Sequence, residues 1–357
     1  MPLLKGIDQP IHDFLADLNV PASGGVCMVS DPRGIADAAW NKRYAYCLLP
    51  VTAAKTVFIL VRIDLESRAL MMLAAPPLAV AGAYNCAIMA AEYVPLGTAT
   101  ENRPCVYVIV SLTAAPWNQL MVYDIWANTW TVLTAIPGMA APLGTSVDLV
   151  NCSADLMPGA GMAPLLILNR YIYITGDNTG GGGVGNLGGA PGTVSNISRY
   201  NIVANAHVLL TGAGGARAAA PGAGSKVAWL PNIPNILYCT RGGASALWDE
   251  YGITIDTWNV HPAMVPPIPL GEGTEITTLF EAPTWIAIRT AELANQIVAV
   301  AMPGTQYQTI CATDFAFQPL AYASNALIAW WIAGQYYLGV IPYARSTVKR
   351  IQLPMPL

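Results

Sequence analysis

Gly183-Val184-Gly185-Asn186-Leu187-Gly188 has the spacing of a glycine-rich dinucleotide turn. Such a turn needs a strand before it and a helix N-terminus after it to receive the pyrophosphate. Here it lies in a longer run of glycines, Gly182 among them, and is followed by Ala190-Pro191, which opens no helix. The segment reads as a flexible or partner-ordered loop, and no cofactor is expected. His12, His207 and His261 stand at no ligand spacing from another His, Cys or carboxylate, so no metal site is expected. Asp249-Glu250 is an adjacent acidic pair, the kind that supports general acid–base work. The plainer reading is a solvated edge or bend of a strand that keeps the outer sheet soluble. Asn151-Cys152-Ser153 and Asn196-Ile197-Ser198 fit the glycosylation pattern, but without a secretory segment they read as chance matches. No catalytic residues emerge, and the chain reads as non-enzymatic.

The elements that would position any such residue come from a repeat. Tyr123-Asp124-Ile125-Trp126-Ala127-Asn128-Thr129-Trp130 reads as a strand, a tight turn and a second strand. The phrase returns as Tyr251 to Trp258, and more faintly from Tyr200 to Asn205. Taken as the third and fourth strands of a four-stranded unit, it divides the chain into blades of about 23–73, 82–134, 144–211, 225–260, 273–311 and 314–357, after a leader over 1–22 with a short helix over Ile11 to Leu18. Four strands per 40–50 residues or so is the spacing of β-propeller blades. The expected fold is all-β, a single propeller of about six four-stranded blades. In this layout each blade uses its own four strands, so the ring closes by face packing without strand exchange.

Composition narrows the partners. Hydrophobic residues make up 54% of the chain and charged residues only 11%, with 32 Gly, 28 Pro and a net charge of −4. An ordinary soluble domain is roughly 25% charged, so surface hidden against other protein subunits is the natural reading. Basic residues are not gathered on any stretch, which argues against nucleic acid. The apolar windows Ala69 to Ala91 and Phe315 to Ala344 are interrupted by Pro, Gly and Gln and read as buried strands, not membrane spans. The seven Cys form no C-x-x-C and read as buried free thiols. Met1 to Lys5 lacks a secretory apolar core, so synthesis in the cytoplasm is expected.

Ile236-Leu237-Tyr238-Cys239-Thr240-Arg241-Gly242-Gly243, then Tyr251, then Trp258, resembles a kelch repeat: a strand ending in a double glycine, followed by a Tyr and a Trp around the next turn. The likeness implies a propeller in which Trp130 and Trp258 pack between blades. A charge-poor, Ala/Gly/Pro-rich propeller also resembles, more loosely, a virion protein of a tailed bacteriophage. That likeness implies a structural subunit of a symmetric virion assembly; a glycan- or peptide-binding module is the alternative, and a propeller glycosidase or lyase ranks third.

Strand order then sorts the connections. One face collects charged residues such as Asp31, Arg103 and Asp256. The other collects Ala74 to Pro77, with Pro76 and Pro77; Ala135 to Pro142, with Pro137 and Pro142; the Gly-rich loop; Gly212 to Gly224; and Pro262 to Leu270, with Pro266 and Pro267. That second, apolar face is the expected contact surface for partners.

Overall fold

The computed structural model describes residues 7–13, 27–30, 44–51, 57–64, 67, 69–77, 84–95, 102–112, 118–133, 153–157, 171–175, 197–201, 204–210, 212–214, 217–219, 226–230, 233, 235–242, 244–271, 274–279, 285–290, 293, 296–312, 327–332, 335–340 and 347–353. Strand β1 (Ile7–Asp13) is followed by a first sheet of β2 (Cys27–Ser30), β3 (Tyr44–Pro50), β4 (Phe58–Asp64) and β5 (Leu70–Met72). The second sheet holds β6 (Tyr84–Pro95), β7 (Asn102–Leu112), β8 (Asn118–Asp124) and β9 (Thr129–Val132). The third holds β10 (Ser153–Met157), β11 (Tyr171–Thr175), β12 (Ile197–Asn201) and β13 (Ala206–Leu210). The fourth holds β14 (Val227–Trp229), β15 (Ile236–Thr240), β16 (Trp248–Gly252) and β17 (Thr257–His261). The fifth holds β18 (Glu275–Leu279), β19 (Trp285–Arg289), β20 (Gln296–Ala301) and β21 (Tyr307–Ala312). The sixth holds β22 (Leu327–Ile332), β23 (Gln335–Val340), β24 (Thr347–Gln352) and, as its outer strand, β1.

Among the described residues there are therefore six four-stranded sheets. Their first strands contact one another in the order β2, β6, β10, β14, β18, β22 and back to β2, so the sheets stand around a ring. Packing face against face buries the middle strands on both sides, and their sequences are apolar almost without alternation. Ala45, Tyr46, Cys47, Leu48 and Leu49 of β3 are all 0% exposed, and Val298 and Ala299 of β20 likewise. The core lies between sheets as a series of layers. Tyr46, Leu60, Val106, Met121 and Tyr123 join the first two sheets. Tyr238, Trp248, Ile286 and Val300 join the fourth and fifth, and Leu279, Ile297, Leu338 and Ile351 join the fifth and sixth. Truncating Trp248, 1% exposed, to Ala would cost about 3–5 kcal/mol. Cys47, Cys105, Cys239 and Cys311 are buried thiols; burial raises the thiol pKa of Cys311 to about 12.

The expected closure is overturned. β1, placed in the leader, pairs antiparallel with β24 from Ile7 opposite Gln352 to Asp13 opposite Thr347. The ring closes by strand exchange, and Ile11–Asp13 are strand rather than the start of a helix. The sixth sheet accordingly takes Leu327–Ile332 as its first strand, and only three of its four strands come from the expected blade of 314–357. The physical reason is the bare edge that β24 would otherwise leave at the seam; a strand from the other end of the chain supplies the missing ladder. In the third sheet the first strand is Ser153–Met157; the start of the expected blade, residues 144–152, lies outside the described residues. No helix among the described residues is long and apolar enough to cross a membrane.

Candidate functional site

The repeated phrase builds a junction. In the second sheet Tyr123 and Trp130 sit directly opposite each other on β8 and β9, with rings 5.1 Å apart. Between them the chain turns through Asn128, whose φ of 53° lies in the left-handed region that Asn tolerates better than most residues. Asp124 holds the turn by accepting from the Trp126 and Ala127 amides at 2.9 and 3.0 Å. The Tyr123 hydroxyl donates to Asn128 Oδ1 at 2.6 Å, and the same oxygen accepts from the Ala74 amide of the preceding connection at 3.0 Å. Trp130 Nε1 donates to the Ala74 carbonyl at 2.7 Å. One turn thus grips the end of the preceding sheet's outer strand.

The fourth sheet repeats the device with a charge. Tyr251 and Trp258 are paired across β16 and β17 with rings 4.9 Å apart, and the Tyr251 hydroxyl donates to Asp256. Asp256 has φ 49° and accepts from the Gly212 and Ala213 amides, both at 3.0 Å, which follow the outer strand of the third sheet. Gly214 comes so close that an added Cβ would meet Thr257 Oγ1 at 2.1 Å and the Ile255 carbonyl at 2.7 Å. Burial acts to raise the Asp256 carboxyl pKa. The Tyr251 hydroxyl, the two amides and the Arg199 charge together outweigh it and hold the group below its ordinary value. The third sheet has the same turn, with Tyr200 donating to Asn205 at 2.8 Å and His207 in the Trp position, 4.8 Å from the Tyr200 ring. The constant five-residue step from Tyr123 to Asn128, Tyr200 to Asn205 and Tyr251 to Asp256 was the signal in the sequence for these latches. Reading only the Tyr and the Trp missed the residue that does the gripping.

Asp249 is not solvated. It is 1% exposed and accepts from Arg217 Nε at 2.6 Å and from Arg241 Nε and Nη2 at 2.9 and 2.7 Å. Arg217, from the connection between the third and fourth sheets, also lies 4.7 Å over the Trp258 ring and donates to the Thr240 carbonyl. Nearby, Lys226 pairs with Glu275 at 3.2 Å, and Arg289 stands opposite Glu275 in the β18–β19 ladder, fully buried. Burial lowers the Arg289 pKa to about 10, against the pull of the Glu275 charge. The expected solvated bend is, at Asp249, a buried ionic cross-brace, because Arg217 from the preceding connection and Arg241 close over this side of the strand, while Glu250 on the same strand stays partly exposed. His261, 3% exposed, is capped by the Pro262 and Pro303 carbonyls at 2.8 and 3.0 Å.

Of the expected contact face, Pro76 is buried while Pro77, Pro266 and Pro267 are exposed. Gly242, buried with φ 67°, forms the turn after β15. Pro137, Pro142, Gly182, Gly183, Gly188 and Gly243 lie outside the described residues. The separation into a charged face and an apolar face fails where outer strands are concerned. Ala74 and Gly212 begin connections assigned to one face, yet they are gripped by Asn128 and Asp256, which belong to turns assigned to the other. Strand twist across each sheet brings the two sets of connections together at the circumference.

The sequence matches no family model and no curated protein. The fold is similar to that of the α-L-arabinanase of Penicillium chrysogenum solved with arabinobiose, at 8% identity and TM-score 0.59 over 98% of each chain. It is also similar to YjhT, at 9% identity and TM-score 0.50, over 92% of this chain and 95% of that one. The chain is a β-propeller. At these identities the likeness is one of fold, and the sheets described above are its blades.

Proposed function

We propose that this propeller is a non-enzymatic structural and interaction protein, a subunit of a larger symmetric assembly. The observation that carries the reading is apolar exposure at the circumference. Met71, Met72, Val132, Val208 and Val260, all on outer strands, are 45–57% exposed. Trp126 and Ile255 on adjoining turns are also exposed, and so are Val265, Pro266 and Pro267. With few charges to hold water around them, these groups gain about 25 cal/mol per Å² when a neighbouring subunit covers them. The buried carboxylates of the fourth and fifth blades, Asp249 and Glu275, are both held by cations, which supports a bracing role for them. The assembly we infer is a virion, on the chain's likeness in composition and fold to propeller proteins of tailed phages, and the repeats we read as kelch-like.

The test is the native mass of the particle that carries the chain in its source. A multi-subunit particle of fixed copy number is expected. Ala75→Lys and Val265→Lys, both at exposed positions, should leave circular dichroism unchanged and prevent incorporation. A chain recovered as a free monomer that turns over a polysaccharide would overturn the reading.

A further inference from the structure

The six outer strands are not equally defended. Natural sheets protect a free edge by making it short, by placing charge or Pro on it, or by a bulge that breaks the ladder. β5 has three residues. β21 carries a register shift opposite Ile297 and Val298. β1 carries a register shift between Pro10 and His12, and adds Asp8, Pro10 and Asp13. These three strands belong to the fifth, sixth and first blades, which are consecutive around the ring. β9, β13 and β17, in the second, third and fourth blades, are four to five residues long and have none of the other devices. Their sequences, Thr-Trp-Thr-Val, Ala-His-Val-Leu-Leu and Thr-Trp-Asn-Val-His, contain no Pro and no Asp, Glu, Lys or Arg. Their ladders run without a shift, and each ends its sheet with no further strand paired to it among the described residues. Val132, Val208 and Val260 stand exposed along them.

From this we infer that the arc of the rim formed by β9, β13 and β17 is a docking surface for extended, uncharged strands of a partner protein, which add to these sheets as fifth strands. The inference deepens the assembly reading and rests on it. An edge of this kind offers a row of main-chain donors and acceptors, which only another extended chain can match along its length. Absence of charge on the edge selects an occupant without charge on the facing positions. The molecule itself supplies the precedent: β1, remote in sequence, is added to β24 in this way, and its own sequence contains the Pro and carboxylates that discourage a further addition.

The probe is a labelled, end-blocked hexapeptide of alternating Thr and Val, with the same peptide interrupted by Pro as control. The parent should bind the first and not the second, with amide exchange slowed within 129–132, 206–210 and 257–261. The triple variant Val132→Lys, Val208→Lys, Val260→Lys should keep its melting curve and bind about tenfold more weakly or worse. Gln308→Lys, on the bulged β21 edge, should bind as the parent does. Peptide binding unchanged in the triple variant, or lost equally in Gln308→Lys, overturns the proposal. So does a parent that sediments as an oligomer dispersed by the triple substitution, for then the occupant is a second copy. If the triple variant still enters the native particle, docking through these edges fails while the subunit reading stands. A free monomer in the source sinks the subunit reading whatever the peptide does.

Discussion

Two neighbouring junctions of the ring are held by different atoms. Where the third blade meets the fourth, side chains make most of the contact, beside one main-chain bond from the Gly214 amide to the Asp256 carbonyl: Asp256 takes the Gly212 and Ala213 amides, Tyr251 steadies Asp256, and Arg217 crosses over Trp258 to reach Asp249. Where the fourth meets the fifth, the buried Lys226–Glu275 pair links the inner strands at 3.2 Å, but at the outer turn the contact passes largely to main chain. The Val265 amide donates to the Thr305 carbonyl at 2.9 Å, and the His261 ring bridges the two blades, lying between the Pro262 and Pro303 carbonyls. The equivalent turn of the fifth blade, Met302 to Thr305, carries no Tyr and no Asn or Asp. A junction made by side chains writes a residue pattern into the sequence. One made by the backbone constrains almost no residue type, and it stays silent.

Breaking the ionic part of the first junction should have the largest effect. Asp249→Ala strands two guanidinium groups, one of them 2% exposed, and should cost about 3–5 kcal/mol in denaturant unfolding. If the loss is below about 1 kcal/mol, the brace is not what holds these blades. Next comes close approach. Gly214→Ala drives a methyl against Thr257 and the Ile255 carbonyl and should cost about 1–3 kcal/mol, read as a lowered melting temperature. Thr257→Ala in the same chain should recover part of it, since Thr257 Oγ1 is the nearer atom.

A smaller effect separates the latch from simple packing. Tyr251→Phe keeps the ring against Trp258 and removes only the bond to Asp256, for an expected loss of about 0.5–1.5 kcal/mol. A double-mutant cycle with Asp256→Ala should show positive coupling; strict additivity would mean that the two groups do not act together. The smallest effect is in pH, and it sharpens the contrast between blades. Asp256 has a lowered folded pKa, so its contribution is complete above the unfolded value of about 4 and is lost as pH falls through the folded value. Asn128 fills the same place in the second blade without a charge. Asp256→Asn should flatten the acid side of the stability curve, while Asn128→Asp should steepen it. Urea midpoints from pH 6 down to 3 would read both.

The sequence made most of the ring legible, and for a physical reason. Middle strands buried on both faces must be apolar runs, so Tyr44–Pro50, Ile236–Thr240 and Trp285–Arg289 are strands with the expected limits. The closing strand was hidden because Ile-Asp-Gln-Pro-Ile-His-Asp has neither an apolar run nor alternation; its outer edge must repel other strands, and that is what its composition records. The buried braces were hidden because burial of Asp249 and Glu275 depends on partners far away in the chain, Arg217 and Lys226, that no local pattern connects to them. Trp130 and Trp258 were legible as inter-blade residues, since both lie in the repeat and both meet the preceding connection, Ala74 for one and Arg217 for the other.

The pairing of β1 with β24 also sets a schedule. Residues 7–13 leave the ribosome before any other strand of the ring, yet their ladder partner, residues 347–352, is made last. Throughout synthesis the first strand has no place to go, and the growing stack of blades keeps one open flank. Long-range pairing of this kind is slow and leaves edges exposed while it waits. The Pro and the two Asp in β1 therefore act before the fold exists as well as after it, keeping the waiting strand from taking the wrong partner.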